Sequence, residues 1–109
     1  MTRRKIEYEV GSGNVFKDLG LKNPEERLAK AQLASQIMFI LEERKLTQTA
    51  AAKLLGIAQP KVSLIYRGNL EEFSIERLMR LLNRLHRDVR IVVDKKERCR
   101  RGKLIVEAA

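Results

Sequence analysis

Apolar residues recur at helical spacing in three stretches of the chain. Leu28, Ala31, Ala34, Ile37, Met38 and Leu41 follow a period near 3.6 and predict a long helix from Asn23 to about Arg44. Asn23, Pro24 and Glu26 read as N-cap, first helical residue and the back-bonding acid of a capping box. Glu42 to Lys45 closes this helix as a solvated face, and Leu46 is placed to plug the core after it. Residues 47–68, TQTAAAKLLGIAQPKVSLIYRG, predict two short helices around a sharp turn. Thr47 caps the first, and three consecutive alanines keep it slim. Gly56 supplies the positive φ that stops it, and Ile57 fills the corner. Gln59 and Pro60 open the second, with Val62 and Ile65 turned inward. In the third stretch, Ser74 caps a helix whose Leu78, Leu81, Leu82 and Leu85 form a core stripe. Arg77, Arg80, Arg84 and Arg87 lie on its outer face, and Leu70 and Phe73 anchor the loop before it.

Two segments have period two instead. Ile6, Tyr8 and Val10 alternate with Glu7 and Glu9 and can pair as a strand, ahead of the breaker cluster Gly11 to Asn14. Val15, Phe16, Leu19 and Leu21 add an apolar patch. This N-terminal region is a frayed end, a flap on its own bundle, or a segment that orders on a partner. Tyr8, Val10, Val15, Phe16 and Leu19 are the candidate partner contacts. Near the other end, Val89 to Val93 reads as a strand of five residues. A lone strand leaves unpaired backbone edges. Residues 103–107, residues 6–10 or the same strand of a second chain could pair with it. The intermolecular pairing is favoured, making Val89, Ile91 and Val93 the expected dimer interface.

Composition narrows the function. The 109 residues suit one domain with short appendages. Aromatic residues are only 5% of the chain, so aliphatic side chains must build the core. Charge changes the picture more, at +9 overall with a pI near 10.1, the footprint of a nucleic-acid binder. Residues 74–93 carry five arginines and two acids, net +3, while residues 24–46 carry four charges of each sign, net zero. Residues 94–109 hold six basic and three acidic groups, net +3, and form either a solvated tail or an arm that tracks phosphates. No apolar run is long enough to span a membrane, and no apolar segment follows the basic start as in a signal peptide. A reducing cytoplasm is the expected setting for a single cysteine, Cys99, which reads as a solvated thiol. His86 reads as a helix-end residue. One His and one Cys offer no catalytic set, no metal site and no reason to expect a cofactor.

The helix pair of residues 47–68 together with this charge points to a DNA-binding helix-turn-helix. Gln59, Lys61 and Ser63, at the exposed start of the second helix, are the candidate base contacts. Gln59 leads, because its amide both donates and accepts at adenine. Gln48, Thr49, Tyr66, Arg67 and Arg77 are candidate phosphate contacts, with partial packing on the loop an equal reading for Tyr66.

Residues from Gly13 to about Asp94 resemble the XRE-type, lambda-repressor-like antitoxins of the HigA group. The resemblance rests on GNVFKDLGLKNPEERLAKAQLASQI, on LTQTAAAKLLGIAQPKVSLIYRGNLEEFSIERLMRLLNRL and on DVRIVV. It implies a compact repressor of four to five helices that dimerises on a palindromic operator. It also implies neutralisation of a small basic RelE/HigB-like toxin and repression of the protein's own operon. Gln48 then bonds a phosphate, and Gln59, Lys61 and Ser63 face bases. Ala58 departs from the Ser, Asp or Thr cap common in relatives, a loss of about 1 kcal/mol unless Gln59 or a phosphate substitutes. Solitary repressors share the same domain.

The expected architecture is therefore mainly α, with a short C-terminal β-strand. It divides into an N-terminal segment (1–22), a helix-turn-helix domain (23–86), a dimerisation strand (87–94) and a basic tail (95–109). The leading function is a sequence-specific repressor that serves as an antitoxin. The alternatives are a toxin-inhibiting interaction module with weak DNA binding, or a solitary XRE-type regulator.

Overall fold

The computed structural model describes residues 14–95 and 101–108. In chain order the helices are α1 (Val15–Asp18), α2 (Pro24–Glu43), α3 (Gln48–Leu55), α4 (Gln59–Tyr66) and α5 (Ile75–Arg84). Thr47 Oγ1 accepts from the Ala50 amide at 3.1 Å and Ser74 Oγ from the Arg77 amide at 3.0 Å, as their positions predict. Ala58 gives α4 no side-chain cap. Asn23 departs from expectation. It takes a left-handed conformation, φ 51°, and makes no side-chain cap bond, so the predicted capping box does not form. Glu26 instead pairs forward with Lys30, one helical turn on, at 3.3 Å.

α1 was not legible as a helix. Asn14 builds it: its Oδ1 accepts from the Phe16 and Lys17 amides, while its Nδ2 donates to the Pro24 carbonyl at 3.0 Å. One side chain therefore starts α1 and fixes it to the head of α2. α1 packs on α2. Tyr8 and Val10, with the proposed strand 6–10, lie outside the described residues, as does Cys99.

α2 runs through the centre and packs mainly on α5 and α1, with α4 also against it. Its buried face is Ala29, Leu33, Ala34, Ile37, Ile40 and Leu41, together with Gln32. Leu28, Ala31 and Met38, expected in the stripe, are half-buried. A helix covered on several sides has apolar residues around most of its circumference, so spacing alone leaves its deepest face open. The core is completed by Ala51, Ala52, Leu55, Val62, Ile65, Phe73, Leu78, Leu81, Leu82 and Leu85.

Gly56 ends α3 at φ +71°, and a Cβ there would lie 2.9 Å from Arg84 Cζ. The left-handed backbone favours glycine at this corner, and a Cβ would also displace the Arg84 guanidinium. Arg84 Nε donates to the Leu54 carbonyl at 3.2 Å, so an arginine expected on a solvated face satisfies the end of α3. Arg44 Nη2 donates likewise to the Leu85 carbonyl at 3.1 Å, tying the ends of α2 and α5. His86 sits at φ 63°, closing α5 as a helix-end residue.

The C-terminal strand is not formed. Among the described residues there is no strand, and residues 87–95 run without regular structure. Val89 packs partly on the core, but Ile91, Val92 and Val93 are exposed. β-branched residues favour extended backbone, yet a strand also needs a partner edge for its hydrogen bonds. Residues 103–107 do not supply that edge within the chain: no hairpin forms, and Val106 packs partly on the core instead.

Candidate nucleic-acid interface

α3 and α4 meet at their N-terminal ends. Gln59 Nε2 donates to Gln48 Oε1 at 2.8 Å, linking the first residue of α4 to the first residue of α3. Two helix starts thus share one exposed edge. The bond also fixes Gln59. Its Oε1 and its second N–H remain available for the acceptor and donor pair on an adenine edge. Thr49 lies beside Gln48 at this edge and is exposed.

At 100° per residue, the buried positions Val62 and Ile65 set the orientation of α4. The strip opposite them is Pro60, Ser63, Leu64 and Arg67. Ser63 and Leu64 are half-buried, while Gln59, Pro60 and Arg67 are exposed. Lys61 falls on the flank of α4 that faces the loop before α5. There it makes a short ion pair with Glu72. Its ammonium also lies 5.8 Å from the centroid of the Phe73 ring. Arg77 Cζ lies over the same ring, also at 5.8 Å. Phe73 is 1% exposed, so the loop is anchored by a buried ring whose face serves two cations. The Lys61 ammonium beside Glu72, through a hydrogen bond and then by its charge, holds that carboxyl below the usual carboxylate range. Acid would therefore protonate Glu72 and release the pair only below the ordinary carboxylate range.

The remaining expected contacts are elsewhere. Arg67 follows the last turn of α4 and lines an open cleft with Phe16, Arg27, Lys30, Glu71 and Leu70. Tyr66 is half-buried and packs on the core, which favours the packing reading for its ring. Val15 and Leu19 are exposed on and after α1, whereas Phe16 is half-buried in the cleft. Glu72 and Arg84 carried no signal in the sequence, because each acts on a residue that is distant along the chain or across a loop. Among the described residues no group of three potential metal ligands occurs, and no helix is long and apolar enough to cross a membrane.

Residues 15–94 match a protein family described as a helix-turn-helix domain. A solved structure described as a candidate XRE family transcriptional regulator is also similar. It shares 49% identity and superposes with a TM-score of 0.74, over 78% of this chain and 97% of that one. No curated protein matches the chain.

Proposed function

This chain belongs to the XRE-type helix-turn-helix family, and on that premise we propose that it is a sequence-specific DNA-binding transcriptional repressor that acts as a dimer. The observation that carries the reading is the exposed edge where α3 and α4 begin, with Gln59 held by Gln48 at 2.8 Å. Gln59 reads a base from there, Ser63 follows on the outer strip, and Gln48 and Thr49 reach the adjoining phosphates. Arg77, over the Phe73 ring, and Arg67, past the far end of α4, neutralise backbone charge on either side of the bases. Repression follows from occupancy: a dimer seated in two successive major grooves blocks polymerase. Anisotropy titrations with a duplex enriched by the protein from a random pool test this. Two arginine contacts per protomer predict that log K falls against log salt with a slope of roughly −4. A flat salt response, or failure to enrich any sequence, would overturn the reading.

The dimer rests on the exposed segment at the end of the domain. Ile91 is 76% exposed, Val92 73% and Val93 92%, a run of β-branched residues with free backbone edges. The same segment of a second copy supplies the missing edge, with Val89, Ile91 and Val93 at the two-fold. Ile91→Pro removes one ladder hydrogen bond and should give monomers in sedimentation experiments. An unchanged dimer would place the interface on the helices.

The antitoxin role rests on the resemblance and on the apolar side chains about α1. Val15 is 39%, Leu19 68% and Leu21 41% exposed. A small basic RelE-like toxin covers them in this reading, with Tyr8 and Val10 extending the contact. A stable complex that co-purifies with the product of the neighbouring gene supports the role. A chain that purifies alone supports a solitary regulator.

A further inference from the structure

The ion pair at the start of α4 bears on specificity. Lys61 is the third residue of that helix, at the edge the DNA would approach, yet its ammonium is not free. Glu72 holds it, and the buried Phe73 ring lies beneath. The Lys61 side chain keeps 32% of its exposure and the Glu72 side chain 61%. The carboxylate is therefore the more exposed partner, and it competes with any phosphate for the Lys61 ammonium. Arg77 also lies over this ring, at 5.8 Å from its centroid.

Resting on the DNA-binding reading above, we propose that Glu72 is a specificity determinant: it withholds Lys61 from phosphates and so suppresses sequence-independent binding. Random DNA is held almost entirely by cations that release counterions from phosphates. A lysine paired with a carboxylate gains little by exchanging it for a phosphate. The charge of Glu72 also opposes the backbone wherever the protein settles. On its preferred site, the register is set by base contacts from Gln59, which the pair does not touch. Glu72 thus subtracts more from random binding than from specific binding and widens the ratio between them.

The test uses the full chain, a duplex enriched from a random pool by the wild-type protein, and a scrambled duplex of equal composition. Glu72→Gln keeps the shape and removes the charge. It should tighten binding to scrambled DNA by roughly three- to tenfold, in line with the modest strength of exposed pairs counted twice per dimer. The scrambled-DNA salt slope should steepen by roughly one to two units as two lysines join the phosphate contacts. Binding to the enriched duplex should tighten less. Lys61→Met retains the stem over Phe73, and in that background Glu72→Gln should have little effect on either DNA. Unchanged affinity and slope on scrambled DNA would overturn the proposal. So would an effect of equal size in the Lys61→Met background, since it would then come from net charge alone. A wild-type chain that binds neither duplex would remove the DNA-binding reading itself, and this inference with it.

Discussion

Phe73→Ala should lower the unfolding free energy by about 3–5 kcal/mol, the usual loss for deleting a fully buried aromatic ring. Phe73 is 1% exposed and packs with the core residues of the helices around it. It is the anchor of the loop between α4 and α5, so truncation opens a cavity beneath the start of α4. For a domain of this size, the midpoint of a thermal melt followed by circular dichroism should fall by more than 10 °C on the order of 4 °C per kcal/mol. Phe73→Leu separates the two duties of the ring. It preserves most of the apolar volume and should cost less than about 1.5 kcal/mol. It also removes the π face beneath Lys61 and Arg77. A loss under about 1 kcal/mol for the alanine variant would show that the loop is held by other contacts.

Gln59→Ala should weaken binding to the preferred DNA by roughly 1–3 kcal/mol per protomer, about thirtyfold or more for a dimer, with scrambled DNA nearly unaffected. Gln59 is exposed, stands first in α4 and has its amide oriented by Gln48. Gln48→Ala removes the acceptor that holds Gln59 Nε2 and should share part of the same loss. The two substitutions should therefore be sub-additive, with a coupling on the order of 0.5 kcal/mol or more. Equal losses on both DNAs would reassign Gln59 to the phosphates. Strict additivity would mean that Gln48 acts through its own contact and not by orienting its neighbour.

Lys61 shows how a residue's partner depends on an element other than its own helix. Its number along α4 puts it near the DNA edge and makes it a base-contact candidate. Its angular position, set by the burial of Val62 and Ile65, turns it toward the loop, where Glu72 meets it. Arg84 gives the same lesson. It belongs to a row of arginines on the outer side of α5, yet it donates to the Leu54 carbonyl and lies against Gly56. Both partners depend on where a different element comes to rest.

The sequence by itself determined the features that depend on a few consecutive residues. Thr47, Gly56, Pro60 and Ser74 mark helix boundaries because φ/ψ preference and amide capping act within one turn. The stripe Leu78, Leu81, Leu82 and Leu85 reads directly because α5 buries one face only. The tertiary structure decided the rest. Asn23 has cap chemistry, but the approach of α1 and the bond from Asn14 to the Pro24 carbonyl accompany a left-handed turn there. Residues 89–93 have strand chemistry, but no edge within the described chain pairs with them. The deep face of α2 was settled by what packs on it from several sides. The bonds Gln48–Gln59, Lys61–Glu72 and Arg84–Leu54 join residues 11 to 30 positions apart. Such contacts have no local propensity to announce them, and they exist only once the helices have packed.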